Sequence, residues 1–260
     1  MFLADHTVFL AIVWFSSLIL LALLVVLRPT LVVRHLLAPL LPGVIFCGDG
    51  RRRELALTID DGPSSASTTR SQRLDGSMEL LELLKELRVP ATLFVISEHL
   101  ERGDPAYLGR ALADDHVIGH HMNEDSVSAR LSPASFRHAF DQAALQIGSF
   151  AAPATLVLRW FRPGGGWIRP SMLRSIATRG YRLVLGSIFP WDTFHPPVGW
   201  MRWFVLTNAH PGGILVLHDR PDTLAATMEL LRLVVPDLRR RGYRFVALDR
   251  LLSTDVLSSR

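Results

Sequence analysis

Apolar and polar residues alternate in blocks along most of the chain, and each block has the length of a strand or a helix. Short apolar runs typical of buried strands lie at 55–59, 91–96, 156–161, 181–185, 214–217 and 244–248. Longer stretches with helical spacing lie between several of them, at 77–87, 105–114, 132–150, 170–179 and 222–241. This alternation predicts a parallel sheet covered by helices. The periodicity alone does not distinguish a barrel from an open, doubly wound sheet.

An uncharged apolar segment precedes these alternating blocks. Residues 8–27 carry no charged side chain, and about 20 apolar residues are enough to cross a bilayer as a helix. No basic region precedes the segment and no small-residue cleavage site is evident after it. We therefore expect a single-pass N-terminal membrane anchor rather than a removable signal peptide. A helix buried inside a soluble domain is the alternative.

Charge and cysteine content narrow the classes of partner. The net charge is +4, and the basic residues are scattered along predicted helices instead of clustering with aromatic residues. No nucleic-acid partner is therefore expected. Cys47 is the only cysteine, so the chain cannot form a disulfide within itself.

The most informative polar residues follow the first predicted strand. Asp60 and Asp61 stand at its C-terminal end, and a Gly62-Pro63 turn signal follows at once. Because neighbouring residues of a strand point in different directions, one carboxylate can bind a metal while the other takes a proton from water. The alternative is a turn that merely ends the strand, since Asp, Gly and Pro all favour turns.

A second polar segment, residues 119–125, contains a histidine and a carboxylate four residues apart. One helical turn would place His121 and Asp125 on the same face. Imidazole nitrogen with carboxylate oxygen is an ordinary ligand mixture for a catalytic divalent metal. With Asp61 they would supply three protein ligands and leave a position open for water. The alternative is an exposed polar turn, and we interpret the neighbouring His120 as structural.

Three further segments follow strand-like runs and carry chemically useful side chains. Arg162 is followed by a glycine-rich stretch, and its planar guanidinium can fix a carboxylate. Trp191 offers a flat face for a sugar ring, and the next residue, Asp192, can orient a histidine. His218 ends an apolar strand, a position that is typically catalytic in a barrel. Taken singly, each of these is also compatible with an ordinary loop or turn residue.

In their order and character these segments resemble the polysaccharide deacetylase family, also called the NodB-homology or carbohydrate esterase family 4 domain. The resemblance covers about residues 54–252. The family's Thr-Phe-Asp-Asp-Gly-Pro motif stands here as Thr58-Ile59-Asp60-Asp61-Gly62-Pro63. The resemblance implies an α/β fold, a distorted (β/α) barrel with the candidate residues at C-terminal strand ends. It also implies a metal-dependent hydrolase that removes N-acetyl groups from a glycan.

The resemblance further implies a role for each catalytic candidate. Asp60 corresponds to the general base and His218 to the general acid. Arg162 corresponds to the arginine that orients the base. Asp192 is a looser match to the acidic segment that tunes the histidine.

The metal ligands implied by the resemblance include one departure from the family pattern. Asp61 and His121 correspond to the first two ligands, but Asp125 stands where the family has a second histidine. Two carboxylates and one imidazole are a harder and more anionic set. Selectivity then shifts toward oxygen-loving ions. We expect a divalent metal, zinc first, with manganese, iron or cobalt as alternatives.

The expected substrate is a polysaccharide containing N-acetylglucosamine, a chitin-like oligosaccharide or a glycolipid. An esterase that removes O-acetyl groups on the same fold is one alternative. A membrane-anchored glycan-binding protein, with catalysis lost through the altered ligand, is another. The last alternative leaves Asp60, Arg162 and His218 without a purpose.

The predicted organisation combines the anchor with one catalytic domain. The divisions are an anchor at 1–30, a juxtamembrane segment at 31–53, the deacetylase-like domain at 54–252 and a tail at 253–260. Polar residues 64–75 are expected to form an exposed loop beside the site. Several arginines follow the anchor, so the positive-inside rule places the domain in the cytoplasm. Family members that trim cell-wall glycans work outside it, and both orientations stay open.

Overall fold

The computed structural model describes residues 2–64, 76–151 and 156–253, and for residues 2–11 the backbone alone. Of the loop predicted at 64–75 only Ser64 is described, and it is buried rather than exposed. Of the predicted tail only Ser253 is described. Within the described residues one sheet contains eight strands: β1 Val44–Ile45, β2 Glu54–Gly62, β3 Ala91–Val95, β4 Val117–His120, β5 Trp160–Phe161, β6 Arg182–Val184, β7 Gly213–His218 and β8 Arg244–Val246.

Helices connect and cover these strands. Their bounds are α1 Phe2–Leu27, α2 Pro29–Val32, α3 Ala38–Leu40, α4 Gly76–Glu86, α5 Ser97–Arg102, α6 Tyr107–Ala113, α7 Pro133–Ser149, α8 Pro170–Ala177, α9 Val198–Asn208, α10 Leu224–Arg240 and α11 Leu248–Leu251. A π-helical turn, Val33–Leu37, joins α2 to α3, and 3₁₀ turns lie at Ser128–Arg130, Gly164–Gly166 and Asp192–Phe194. The start of α7 follows from its sequence, because the Ser132 hydroxyl caps the backbone N–H of Ser135.

The sheet is parallel throughout, in the order β1-β6-β5-β4-β3-β2-β7. Strand β8 pairs with the first residues of β2, and β3 pairs with the later residues of β2. Both therefore lie along the edge of β2 that faces away from β7. The segment after β6 bonds to β7: Ser187 N donates to Ile214 O at 3.1 Å, and Val216 N to Ile188 O at 2.9 Å. These bonds bring the ends of the sheet together. The fold is therefore a curled parallel α/β half-barrel and not an open doubly wound sheet.

Strand β2 lies at the centre of the core. Its inner run, from Leu55 to Ile59, is almost completely inaccessible to solvent. Helices cover a parallel sheet on its faces, so such strands read as continuous apolar runs rather than alternating ones. This explains why the pattern at 55–59 predicts a strand so clearly. It also means that any polar residue at the end of β2 is held by a rigid element.

The N-terminal helix α1 differs from the rest because its side chains stand away from the domain. From Ile12 to Val26 all the large apolar side chains are exposed, including Trp14 at 70% and Leu20 at 69%. No single helix of the described residues meets the length and hydropathy expected of a membrane span. One pair bent by 99°, Ile12–Leu27 with Pro29–Leu40, meets them jointly by length and composition. The single-pass anchor therefore stays a prediction.

We predict that Leu57→Ala destabilises the domain by about 2–5 kcal/mol, because Leu57 is fully buried at the centre of β2. The measurement is the midpoint of urea unfolding followed by tryptophan fluorescence. Leu145→Ala is the matched control, since Leu145 is 70% exposed on α7, and it is expected to change stability by less than about 0.5 kcal/mol. Equal effects of the two substitutions would contradict the central position of β2.

Candidate active site

The end of β2 presents its two carboxylates in different directions. Asp60 is in register with His218 of β7 on one side and with Phe94 of β3 on the other. The register shifts between Asp60 and Gly62, and Asp61 has a φ of 69°, which is uncommon for a residue other than glycine. The ring nitrogen Nδ1 of His99 lies 2.7 Å from the carbonyl oxygen of Asp61 and supports this conformation. Asp60 and Asp61 can therefore have different partners and different chemical roles.

Arg162 binds Asp60 in a fully buried environment. Its Nη1 lies 2.5 Å from Asp60 Oδ1 and donates to Thr58 Oγ1 at 2.8 Å. Its Nε donates to the carbonyl oxygen of Val184 at 3.0 Å, and its guanidinium carbon lies 4.2 Å from the centre of the Phe94 ring. These contacts pair Asp60 with an opposite charge and fix the position of its side chain at the end of β2.

His218 is oriented by Asp192. The Asp192 carboxylate accepts from the backbone N–H of His218 at 2.9 Å, and its two oxygens lie 3.0 and 3.1 Å from His218 Nδ1. Burial lowers the pKa of His218, but the bond to Asp192 and the charges of Asp192, Asp60 and Asp61 outweigh it and raise the pKa to about 9. His218 is thus protonated near neutral pH, and Nδ1 is engaged, which leaves Nε2–H available as a proton donor.

Asp61 and His121 form a second pair beside the first. His121 Nε2 lies 3.2 Å from Asp61 Oδ1, and its Nδ1 donates to the carbonyl oxygen of Arg162 at 2.7 Å. Burial would raise the pKa of Asp61, but the hydrogen bond to His121 and nearby positive charges lower it to about 2. Burial disfavours the protonated form of His121, whereas the nearby carboxylates of Asp60 and Asp61 favour it. The net result is that the pKa of His121 is raised.

Asp125 does not join this pair. Its carboxylate is about half exposed and accepts from Nη1 of Arg220 at 3.0 Å, and the same Nη1 lies 3.5 Å from Asp61 Oδ2. The guanidinium therefore stands between the two carboxylates that were expected to share a metal. In the parts of the chain that are described, no group of three or more His, Cys, Asp or Glu side chains is placed to hold a metal ion.

The donor set consequently fits a divalent metal only in part. Two ligands of one tetrahedral zinc ion lie about 3.4 Å apart, close to the separation of Asp61 and His121. The carbonyl bond to His121 Nδ1 is also the support that metal-bound histidines usually have. The third ligand is paired with Arg220 instead, so the side chains as arranged do not form a three-ligand site. The set Asp61, His121 and Asp125 stays a prediction.

His120 is structural, as the sequence indicated. Its Nε2 donates to the carbonyl oxygen of Phe140 at 3.0 Å, its Nδ1 accepts from Met122 N at 3.1 Å, and its ring stacks on Phe140 with centroids 4.1 Å apart. Burial lowers the pKa of His120 to about 4, so the ring is neutral.

Sequence reasoning missed two of these side chains. Arg220 follows the His218-Asp219 pair directly, and its position in the chain was the only available signal. His99 carries no motif of its own. Trp191, expected as a wall for a sugar ring, instead donates its indole N–H to the carbonyl oxygen of Val26 in α1 at 3.1 Å.

An aspartate paired with arginine and a protonated histidine, both at the strand ends of a curled parallel sheet, supply the base and the acid of a hydrolase. The chain belongs to the polysaccharide deacetylase family, whose model matches residues 48–184. The family and the enzyme class expected from the sequence, a deacetylase-like hydrolase of carbon–nitrogen bonds other than peptide bonds, are confirmed. Deacetylases of this family are generally metal-dependent.

Several characterised proteins are similar to the chain over most of its length. A peptidoglycan-N-acetylglucosamine deacetylase of Bacillus cereus is 28% identical over 200 residues, which cover 76% of this chain and 87% of that protein. A chitooligosaccharide deacetylase of Bradyrhizobium sp. is 30% identical over 210 residues, covering 76% and 90%.

Solved structures share the fold. A peptidoglycan N-acetylglucosamine deacetylase crystallised with a benzamide compound superposes with a TM-score of 0.73 at 25% identity, covering 81% of this chain and 93% of that one. A family 4 carbohydrate esterase pseudoenzyme from Bacillus anthracis has a TM-score of 0.69 at 19% identity, covering 81% and 69%. The second likeness concerns the fold alone.

We predict that Asp192→Asn lowers the pKa of His218 from about 9 toward the ordinary value of 6.5. The neutral amide removes the charge that favours imidazolium while keeping the size of the side chain. The raised pKa stabilises the fold fully below pH 6.5, and this contribution is lost as pH rises through 9. The measurement is an NMR titration of the His218 ring, assigned by comparison with His218→Gln. Asp222→Asn, beside His195, is the control, and an unchanged His218 titration in Asp192→Asn would contradict the assignment.

We also predict that Arg220→Gln tightens the binding of Co²⁺ at least about tenfold, because the guanidinium no longer occupies the carboxylates of Asp61 and Asp125. Isothermal titration of the metal-free protein measures the affinity. Arg202→Gln is the matched control, since Arg202 pairs with Asp237 away from the site. Unchanged or weaker Co²⁺ binding in Arg220→Gln would show that Arg220 does not compete with a metal.

Proposed function

We propose that the chain is a glycan deacetylase that hydrolyses the N-acetyl groups of N-acetylglucosamine residues. The observation that carries the proposal is the opposition of Asp60 and His218 across the β2–β7 pair, with Arg162 paired with the first and Asp192 holding the second as an imidazolium. A base and an acid are what hydrolysis of an amide requires. The deacetylases of peptidoglycan and chitooligosaccharides among the relatives support this substrate class.

The proposed reaction uses the two residues in sequence. Asp60 takes a proton from a water molecule while the oxygen of that water attacks the acetyl carbonyl carbon. The attack gives a tetrahedral intermediate. His218 then gives its proton to the departing nitrogen, and the carbon–nitrogen bond breaks. Acetate and a free amino sugar are the products. Arg162 aims the base and Asp192 the acid, so both act as positioning residues.

The proposal includes a divalent cation, with zinc ahead of manganese, iron and cobalt. Asp61 and His121 are the residues that would hold it. Asp125 can join them only when Arg220 leaves its carboxylate.

A second candidate function follows from the ion pair between Arg220 and Asp125. If Arg220 stays in place and no cation binds, the chain is a glycan-binding protein of the deacetylase fold with impaired catalysis. Removal of an O-acetyl group uses the same base and acid, and the identity of the second product separates it from amide hydrolysis.

We propose further that the apolar N-terminal helix attaches the domain to a membrane. The uncharged and exposed surface of residues 12–26 supports this location. Both orientations of the domain remain compatible with the arginines that follow the helix.

The test is release of acetate from fully N-acetylated chitooligosaccharides and peptidoglycan fragments by the full chain. We predict one new primary amine for each acetate, and a fall in kcat of at least about 100-fold in Asp60→Asn, since a general base contributes about 10²–10⁴-fold. Asp141→Asn is the matched control, because Asp141 pairs with Arg179 outside the site. Acetate released from an O-acetylated glycan, with none released from the N-acetylated substrates, would indicate an esterase. Glycan binding without acetate from either kind of substrate would favour the binding protein.

A further inference from the structure

The last turn of α1 is bonded directly to the residue before Asp192, the aspartate that positions His218. Trp191 Nε1 donates to the carbonyl oxygen of Val26 at 3.1 Å, and Asn208 Nδ2 donates to that of Leu27 at 3.1 Å. Arg28 Nη1 donates to the carbonyl oxygen of Thr207 at 2.8 Å. Trp191 is the residue immediately before Asp192. The position of α1 is therefore coupled to the position of the active site.

The exposed part of α1 is suited to lipid rather than to a protein partner. Residues 12–26 contain no charged side chain and are exposed on every side of the helix. A helix that packs into a protein groove needs one apolar face, whereas a helix that is apolar all round belongs in a protein core or in lipid. No groove covers every side of a helix, so we take the occupant to be the hydrocarbon of a bilayer.

Aromatic side chains cluster around Trp191, which bonds to the last turn of α1. Phe194 is 76% exposed, and its ring centroid lies 6.1 Å from that of Trp191. Phe189 lies 5.3 Å from Trp191 on the same segment. Aromatic residues concentrate at the boundary between hydrocarbon and water. Arg28, directly after α1, adds a positive charge suited to anionic headgroups. We call Phe189, Trp191 and Phe194 the aromatic collar.

The collar places the active site close to the lipid surface. From Leu20, inside the exposed apolar part of α1, to Val26 the helix rises about 9 Å at 1.5 Å per residue. From Val26 the path to the acid is short: the hydrogen bond to Trp191, one peptide bond to Asp192, and the 3.0 Å contact between Asp192 and His218. The reacting groups thus lie within a few side chains of the membrane boundary.

We propose that the substrate is an acetamido sugar carried on a lipid in the same membrane. This inference rests on the proposed deacetylase function and names its substrate class. A sugar linked to a long isoprenoid or acyl chain diffuses in the plane in which α1 holds the enzyme, so its effective concentration at the site is high. A soluble glycan has no such advantage. Phe194, whose ring is 76% exposed, is the collar residue that would enter the membrane interface.

The test compares one acetylated sugar in two forms, with the full chain reconstituted in vesicles of phosphatidylcholine and phosphatidylglycerol. One form is linked to a lipid in the vesicles and the other is water-soluble. We expect kcat/KM to be at least about tenfold higher for the lipid-linked form. Phe194→Ser should reduce that advantage severalfold and leave turnover of the soluble form unchanged. Leu145→Ser is the matched control, because Leu145 is equally exposed on α7, and it should change neither rate.

The outcomes separate this inference from the proposed function. Equal kcat/KM for both forms, with acetate released, would overturn the substrate class and leave the deacetylase in place. No acetate from either form would overturn both.

A second measurement tests the position of the collar without activity. Cys47 is the only cysteine, so Cys47→Ser with Phe194→Cys gives one site for a fluorophore. Nitroxide-labelled lipids are expected to quench it strongly, and to quench Leu145→Cys weakly in the same background. Equal quenching at the two positions would overturn the interfacial placement.

Discussion

The buried ion pair between Arg162 and Asp60 is the interaction on which the rest of the site depends. A buried carboxylate is costly unless a partner and further hydrogen bonds compensate it. Arg162 supplies the partner and also bonds to Thr58 and to the carbonyl oxygen of Val184, so one guanidinium ties the end of β2 to β6. The same contacts that hold the sheet together fix the side chain of Asp60 in place. Function and local stability therefore rest on one arginine.

A second charge pair completes the chemistry from the neighbouring strand. Asp192 raises the pKa of His218, which stands in register with Asp60 on β7. The histidine is then protonated near neutral pH, as a general acid requires. The two carboxylates thus have different roles: Asp60 takes part in the reaction, and Asp192 positions the histidine. The hydrogen bond from Trp191, the residue before Asp192, to Val26 extends this arrangement to the last turn of α1.

The convergence of Asp60, Arg162 and His218 could be predicted because carboxyl ends of parallel strands meet at one edge of a sheet, and strong apolar runs marked those strands. Strands β1 and β4 and helix α9 were missed. Strand β1 directly follows a Pro-Gly pair inside the segment interpreted as juxtamembrane, and β4 offers only two apolar side chains, Val117 and Ile118, before a glycine. The pairing of Asp125 could not be predicted either. A carboxylate chooses between a metal and a guanidinium according to its neighbours in space, and Arg220 lies 95 residues away in the chain. Trp191 was read from its residue type alone, and its hydrogen bond to Val26 depends on how α1 docks.

The central claim is that His218 is the protonated acid that stands opposite the base Asp60. The pH dependence of kcat/KM for acetate release tests it most directly, because this profile reports the essential acid and base of the free enzyme. The account predicts activity that persists through neutral pH and declines near pH 9, where His218 loses its proton. A decline near the ordinary histidine pKa of about 6.5, or activity still rising above pH 9, would contradict it.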